Sequence, residues 1–280
     1  MPLGISFSQS LTLSRNLSAN SRLLDTTLEK LSTGYRINHA KDDSAGLSIS
    51  ENLLSQIRGY EQSIRNAQDG SSLLSVAEGA TTTITENLQR IRELTVQAAS
   101  DTLGSTERDS ISQEINQRME DIDRISATTK FGSVDLLSAS APSQFNLQVG
   151  PNGSDVIDIG AALGDMSVTA IGLTQAGNVD LSTNAAATAF LDDIDAALAT
   201  VNSSRSTMGA MQNRLDSVVD NLSTTSMNMS ASNSRIRDTD IASETSKLVR
   251  SQLLQQFDVT LMAQMNSSTA NLVLGLLSGI

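Results

Sequence analysis

At 280 residues, with 39% hydrophobic but only 2% aromatic residues and no tryptophan, the chain lacks the aromatic mass that usually fills a compact core and suits thin helix–helix seams instead. A formal net charge of -12 disfavours nucleic acid and anionic membrane as partners, and no apolar run reaches the roughly 18 residues that cross a bilayer. Without cysteine, disulfides and thiolate chemistry are excluded, and neither a reducing nor an oxidising compartment is indicated.

Proline occurs only at positions 2, 142 and 151, so nothing in 3–141 or 152–280 is barred from helix by a missing N–H. Residues 3–33 place Leu3, Leu17, Leu24 and Leu31 on a seven-residue row, with Phe7 and Leu28 four residues off it. Polar neighbours make this a helix that is marginal in water, and Gly34 ends it. Residues 35–45, YRINHAKDDSA, read as a loop or extended spoke. Asp43 or Ser44 then caps a helix over about 45–100. Ile84, Leu88, Ile91, Thr95 and Ala98 alternate four and three apart along it, and Gly59, Gly70 and Gly79 weaken it modestly. After an LGST turn, a helix over about 105–129 carries the face Ile111, Ile115, Met119, Ile122, Ile125.

Residues 130–142 read as irregular, and a small β region is expected over about 142–180. Phe145, Leu147 and Val149 alternate with polar residues, PNGS supplies a turn, and Val156, Ile157 and Ile159 follow. That pattern predicts a hairpin whose Asn-Gly adopts positive φ. Residues 160–189, rich in Gly, Ala, Ser and Thr, are expected to form small strands and loops. The strongest pattern follows: Ile194, Val201, Met208, Leu215, Leu222, Met229 and Ile236 recur every seven residues. This coiled-coil seam predicts a helix over about 189–236. From Ile194 to Ile236 it is roughly 63 Å long at about 1.5 Å per residue. Asp238-Thr239-Asp240 interrupts it, and a last helix covers about 241–277. The fold class is mainly α: a long coiled-coil helical hairpin or bundle with a small β-hairpin region at the chain's middle. The two ends lie side by side, as do the two long middle segments.

Catalytic and metal chemistry find little footing. His39, beside Asp42 and Asp43, is the only histidine, which excludes HExxH and leaves any Ser-His-Asp triad dependent on one loop residue. Asp238 with Asp240, and Asp192, Asp193 with Asp195, lack the glycine and terminal glutamate of an EF-hand and read as helix N-terminal carboxylates. The sequons at Asn16, Asn152, Asn202, Asn221, Asn228 and Asn266 are expected by chance in a chain this rich in Asn and Ser. Neither an enzyme activity, a cofactor nor a metal is expected. Met1 to Lys30 shows no cationic start followed by an apolar stretch, hence no ordinary secretory signal.

Several long stretches carry a resemblance. LSTGYRINHAKDDSAGLSIS (31–50), QIRGYEQSIRNAQDG (56–70), AEGATTTITENLQRIRELTVQAAS (77–100) and DSISQEINQRMEDIDRISATTKFG (109–132) resemble the N-terminal signature of bacterial flagellin. GAMQNRLDSVVDNL (209–222) and SRIRDTDIASETSKLVRSQLLQQ (234–256) resemble its C-terminal signature. Tyr35 and His39 stand where many members have small residues, and the separation of the two flanks resembles a short form without large outer domains.

The resemblance implies a structural subunit that polymerises into the hollow helical filament of the bacterial flagellum for swimming motility. Residues 1–43 plus 237–280 would form an inner tube domain of paired terminal helices, and 44–236 a rod domain. Export through the flagellar type III apparatus without a cleaved signal would place it outside the cell. The implied partners are further copies of the chain, an export chaperone at the C-terminal helix, hook-associated and cap proteins, and a host toll-like receptor. The matching contact ridge is Gln89, Arg90, Glu93, Leu94, Gln97 and Glu114, with Arg92 a further candidate beside it, and a solvated face with an Arg90 pair to Glu86 or Glu93 is the plainer alternative. Residues 29–50 resemble the epitope that plant receptors detect, with Asp42 and Gly46 in place. A hook–filament junction protein and a secreted helical receptor-binding module are the alternative readings. The polar terminal segments cannot by themselves offset an ordering cost of about 1–2 kcal/mol per residue. Residues 1–40 and 238–280 are therefore expected to order only on assembly.

Overall fold

The computed structural model describes residues 2–173 and 179–277. Its helices are α1 (Pro2–Thr33), α2 (Ser44–Ala98), α3 (Ser105–Thr128), α4 (Asn184–Arg237) and α5 (Ile241–Leu277). The strands β1 (Lys130–Phe131) and β2 (Val134–Asp135) form one antiparallel hairpin, and β3 (Asn146–Gln148) and β4 (Val156–Asp158) another. A 3-10 turn follows at Gly160–Ala162. Among the described residues, no helix is long and apolar enough to cross a membrane. Contacts divide the chain into two compact units, Met1–Ser55 with Asn228–Ile280, and Gln56–Met227.

In the Gln56–Met227 unit the helical periodicities translate directly into burial. Ile84, Leu88, Ile91, Thr95 and Ala98 have no exposed surface, and neither do Ile194, Val201, Met208 and Leu215. The α2 and α4 faces run antiparallel here. Gln212 Nε2 donates to Glu78 Oε2 at 3.1 Å, and Arg92 grips Asp195 farther along. Ile111, Ile115, Met119 and Ile122 of α3 close the same core, with Ile125 at its margin.

The connecting segments depart from expectation. Residues 130–142 include the β1–β2 hairpin, turned by Gly132 at φ 62°. Neither Asn152 nor Gly153 takes positive φ. The β3–β4 loop is wider than a two-residue turn, and Asp155 shapes it by accepting from the Asn152 backbone N–H and Nδ2 at 3.2 and 3.0 Å. The described part of 160–189 contains no strand, and residues 174–178 lie outside the described residues. The segment instead lays Leu163, Met166, Val168, Ile171, Leu173, Val179 and Leu181 into the core. It is tied to α3 by Val168 N–H to Asp123 Oδ1 at 2.8 Å and by Ser112 Oγ to the Val179 carbonyl at 2.6 Å. Helix α4 begins at Asn184 because Thr183 caps it, its Oγ1 accepting from Ala186 N–H at 3.1 Å.

The glycines of α2 have a use beyond tolerance. A Cβ at Gly59 would stand 2.9 Å from Pro151 Cβ, and one at Gly70 would stand 2.5 Å from Leu147 Cδ2. Between them Asn66 Nδ2 donates to the Gln148 carbonyl at 3.0 Å. One stripe of α2 is thus pared down so that the β3–β4 hairpin lies against it.

The unit formed by the chain ends is built on the opposite principle. Helices α1 and α5 pair antiparallel, joined at their centre by Asn20 Nδ2 donating to the Ser251 carbonyl at 2.8 Å. The inward row of α1 is Leu13, Leu17, Asn20, Leu24, Thr27, Leu31; that of α5 is Glu244, Leu248, Ser251, Gln255, Asp258, Met262. The most buried members, Asn20, Thr27, Glu244 and Ser251, are all polar. The side chains of Leu3 and Phe7 lie outside the described residues. Gly34, at φ 75°, ends α1. The spoke beyond it is stitched to the break after α4: Tyr35 bridges Asp238, and Thr239 N–H donates to the Gly34 carbonyl at 2.9 Å. The Arg237 guanidinium lies 4.6 Å from the centre of the Tyr35 ring and 2.8 Å from Glu51 Oε1.

Candidate assembly and recognition surfaces

The residues expected to form a contact ridge lie on α2 and α3. Gln89, Arg90, Glu93 and Gln97 are exposed and Glu114 is half-exposed, whereas Leu94 is 4% exposed and belongs to the core. The four-three burial pattern explains this: Leu94 follows Ile91 by three and precedes Ala98 by four, which puts it on the inward stripe. Arg90 Nη1 is 2.9 Å from Glu93 Oε2 and its Nε 3.8 Å from Glu114 Oε1. Glu114 also takes Arg118 at 3.3 Å, and Arg118 reaches Asn87 Oδ1 at 3.3 Å. Glu93 and Glu114, not Glu86, therefore hold Arg90, and the ridge is a charged lattice spanning two helices. The sequence reading missed Arg118 and Asn87. Only the packing of α3 on α2 brings them to the ridge.

Arg92 faces α4 and binds Asp195 in a fork, with Nε 2.7 Å from Oδ1 and Nη2 3.3 Å from Oδ2. Asp192, Asp193 and Asp195 thus lie inside α4 and do not cap it. The Arg92 hydrogen bond holds the Asp195 carboxyl below its ordinary range. A depressed folded value gives stability that is present above the unfolded pKa of about 3.9 and lost as pH falls through the folded one. Replacing Arg92 by Ala is expected to return the Asp195 titration, followed by carboxyl NMR shifts, to the ordinary range. An unmoved midpoint would show that Arg92 does not set it.

The epitope-like segment is fixed by its own short bonds. Asp42 accepts the backbone N–H of His39 at 3.0 Å and of Asn38 at 3.2 Å. The His39 N–H is the larger cause of its lowered pKa, with Lys30 and Lys41 adding to it. Asp43 caps α2, its Oδ1 accepting from Gly46 N–H at 2.8 Å. A Cβ on Gly46 would run into that carboxylate and stand 2.9 Å from Ile37 Cδ1. His39 Nε2 lies 2.8 Å from Glu29 Oε1. Among the described residues, no three His, Cys, Asp or Glu side chains are grouped to share a metal ion. Asp240 caps α5, accepting from Ala242 N–H at 2.9 Å, and Asp238 instead receives the Ser234 hydroxyl.

The seven-residue seam of α4 is buried from Ile194 through Leu222, whereas Met229 and Ile236 are half-buried. Those two lie in the unit where buried positions turn polar. One exposed apolar group in that unit was not read from sequence. Leu253, Leu254, Phe257 and Leu261 of α5 are 51%, 45%, 64% and 48% exposed. None of them is on the inward row of α5: Leu254 and Leu261 flank it, and Phe257 and Leu253 lie farther round toward the opposite face. Their offset from the Glu244–Leu248–Ser251 row is the signal that could have found them.

Residues 6–141 match the family description "bacterial flagellin N-terminal helical region", and residues 191–277 match "bacterial flagellin C-terminal helical region". The chain is 40% identical over 252 residues to a flagellin of Halalkalibacterium halodurans, covering 90% of this chain and 91% of that one. It is 34% identical over 284 residues to the flagellar filament 31.3 kDa core protein of Treponema maltophilum, covering 93% and 98%. The crystal structure of Bacillus cereus flagellin matches with a TM-score of 0.50 at 28% identity, over 60% of this chain and 94% of its own.

Proposed function

This chain belongs to the bacterial flagellin family, and on that premise we propose that it is the structural subunit polymerised into a flagellar filament. The observation that carries the reading is the inverted sidedness of α5. Four of the six residues on its inward row, Glu244, Ser251, Gln255 and Asp258, are polar, while Leu253, Leu254, Phe257 and Leu261 lie off that row and are exposed. An isolated hairpin built this way hides little apolar surface, and further copies of the chain supply what it lacks. Residues 1–43 with 237–280 act as the inner tube domain and 44–236 as the rod domain. The terminal helices take their final order on assembly. The family role is structural, and this chain carries no catalytic function. It leaves the cell by type III export, with a chaperone on α5. Hook-associated and cap proteins meet it at the filament ends.

Purified monomer added to sheared seeds is expected to grow long tubular filaments visible by electron microscopy, and deletion of 241–280 to abolish growth. Trypsin should trim both ends of the monomer and spare them in the filament. Short capped assemblies would favour a hook–filament junction protein, and persistent monomers a secreted receptor-binding module.

A host toll-like receptor reads the ridge of Gln89, Arg90, Glu93, Gln97 and Glu114. Arg90→Asp places a carboxylate against Glu93 and Glu114 and removes the cation of that lattice. Receptor-driven reporter signalling is expected to fall at least roughly tenfold, as for loss of one interfacial charged contact. Unchanged signalling would remove Arg90 from the contact.

A further inference from the structure

Two depressions lie in line along the α1–α5 pair. One, of about 280 Å³, is lined by Thr12, Leu13, Leu261 and Met265 among others, and among the described residues no charged side chain lines it. The next, of about 350 Å³, is lined by Ala19, Leu23, Leu254 and Asp258 among others. Their α5 linings repeat at seven residues, Leu254 to Leu261 and Asp258 to Met265, which spaces them about 10.5 Å apart along the helix. On the outward side of the same helix stand Phe257, 64% exposed, and Arg250, also exposed and seven residues before it. Among the described residues, Arg250 and Asp258 each lack an ion-pair partner within the chain.

We propose that a second copy of this chain, aligned parallel to the first, seats its Phe257 in the Leu13–Leu261–Met265 depression and its Arg250 on Asp258. This rests on the filament-subunit reading and assigns residues to the contact. Spacing and direction agree: the acidic depression precedes the apolar one along α5 by the same seven residues by which Arg250 precedes Phe257. An antiparallel neighbour would set Arg250 on the uncharged depression and Phe257 on the acidic one, so the match also selects polarity. Phe257 of one copy meets residues 261 and 265 of the next, so the two parallel copies are displaced along the helix axis and use different positions in the contact. The contact is therefore heterologous, and repetition yields an open filament and not a closed dimer. The aromatic anchor supplies the desolvated centre, and the ion pair at its edge fixes register.

The test is the critical concentration for seeded growth of full-length protein, with circular dichroism of the monomer as control. Phe257→Ala is expected to raise it at least tenfold with unchanged monomer helicity, because the ring is exposed before assembly. Arg250→Asp and Asp258→Arg should each raise it severalfold, and the two together should restore it to near the unsubstituted value. Growth of Phe257→Ala at the unsubstituted concentration, or a charge-swapped protein no better than the worse single variant, would overturn the assignment. In both cases the depressions have another occupant and the filament reading stands. Failure of the unsubstituted chain to grow on seeds would strike the filament reading itself and the assignment with it.

Discussion

Phe190→Ala is expected to lower the unfolding free energy of the Gln56–Met227 unit by about 3–5 kcal/mol, the range for truncating a buried phenylalanine. Phe190 is 1% exposed and is the only aromatic among the described residues that is fully buried. Its neighbours on the inward row of α4 are Ala187, Ile194 and Ala197, each without exposed surface. A thin seam of alanines and β-branched residues cannot collapse far into the space a ring leaves. The backbone there is held as well, since Thr183 caps α4 just before it and Arg92 grips Asp195 just after it. Urea denaturation followed by circular dichroism should show a lower midpoint with little change of slope, and melting should drop by roughly 10 °C for a unit of this size. A loss below about 1 kcal/mol would mean that this end of α4 is frayed in solution or repacks freely. Phe257→Ala serves as the contrast, because a ring 64% exposed contributes little to the free chain.

How much of this was legible in the sequence depends on whether burial followed a period. Ile84, Leu88, Ile91, Thr95 and Ala98 repeat at four and three, and every one is fully buried. The same holds for Ile194 through Leu215. A helix projects one face, so the period alone fixes the inside. Leu94 follows from that rule too: the arithmetic that buries Ile91 and Ala98 buries it, and its place in a surface ridge came from the resemblance and not from the period. The segment from Leu163 to Leu181 has no period. Its apolar residues reach the core through turns whose direction is set by tertiary bonds such as Val168 N–H to Asp123. A rule based on repeats sees there only small and polar residues.

The chain ends were legible in a different sense. Their stripes predict the two helices, and the most buried positions of the α1–α5 pair, Asn20, Thr27, Glu244 and Ser251, are polar. What remained hidden was the outward apolar row, because a heptad search on α5 registers inward positions first. Leu253, Leu254, Phe257 and Leu261 have meaning only once the facing side of α5 is known. The same limit applied to Arg118, which joins the ridge across a helix–helix contact that no spacing within α2 encodes.

Glycine poses the sharpest version of this problem, because sequence alone assigns Gly59, Gly70 and Gly79 the same modest penalty in α2. The structure separates them. Gly79 is exposed and a Cβ there meets nothing within 4 Å. At Gly70 a Cβ would stand 2.5 Å from Leu147 Cδ2 and 3.5 Å from Leu215 Cδ1. Valine at position 79 is expected to change stability by less than about 0.5 kcal/mol, since a small gain in helix propensity meets no steric opposition. Valine at position 70 gains the same propensity but is expected to destabilise by about 1–3 kcal/mol, as overpacking does. Leu147 cannot easily give way. It is 9% exposed, sits directly opposite Ile157 in the β3–β4 ladder, and its strand is pinned to α2 through Asn66. The damage should therefore appear in the hairpin before the helix, as faster hydrogen exchange over residues 146–158 with protection of 84–98 retained. Equal stabilities for the two valine variants would show that the hairpin does not rest on α2 in solution. Loss of protection across α2 itself would mean instead that the glycine serves the helix–helix seam through Leu215 more than the hairpin.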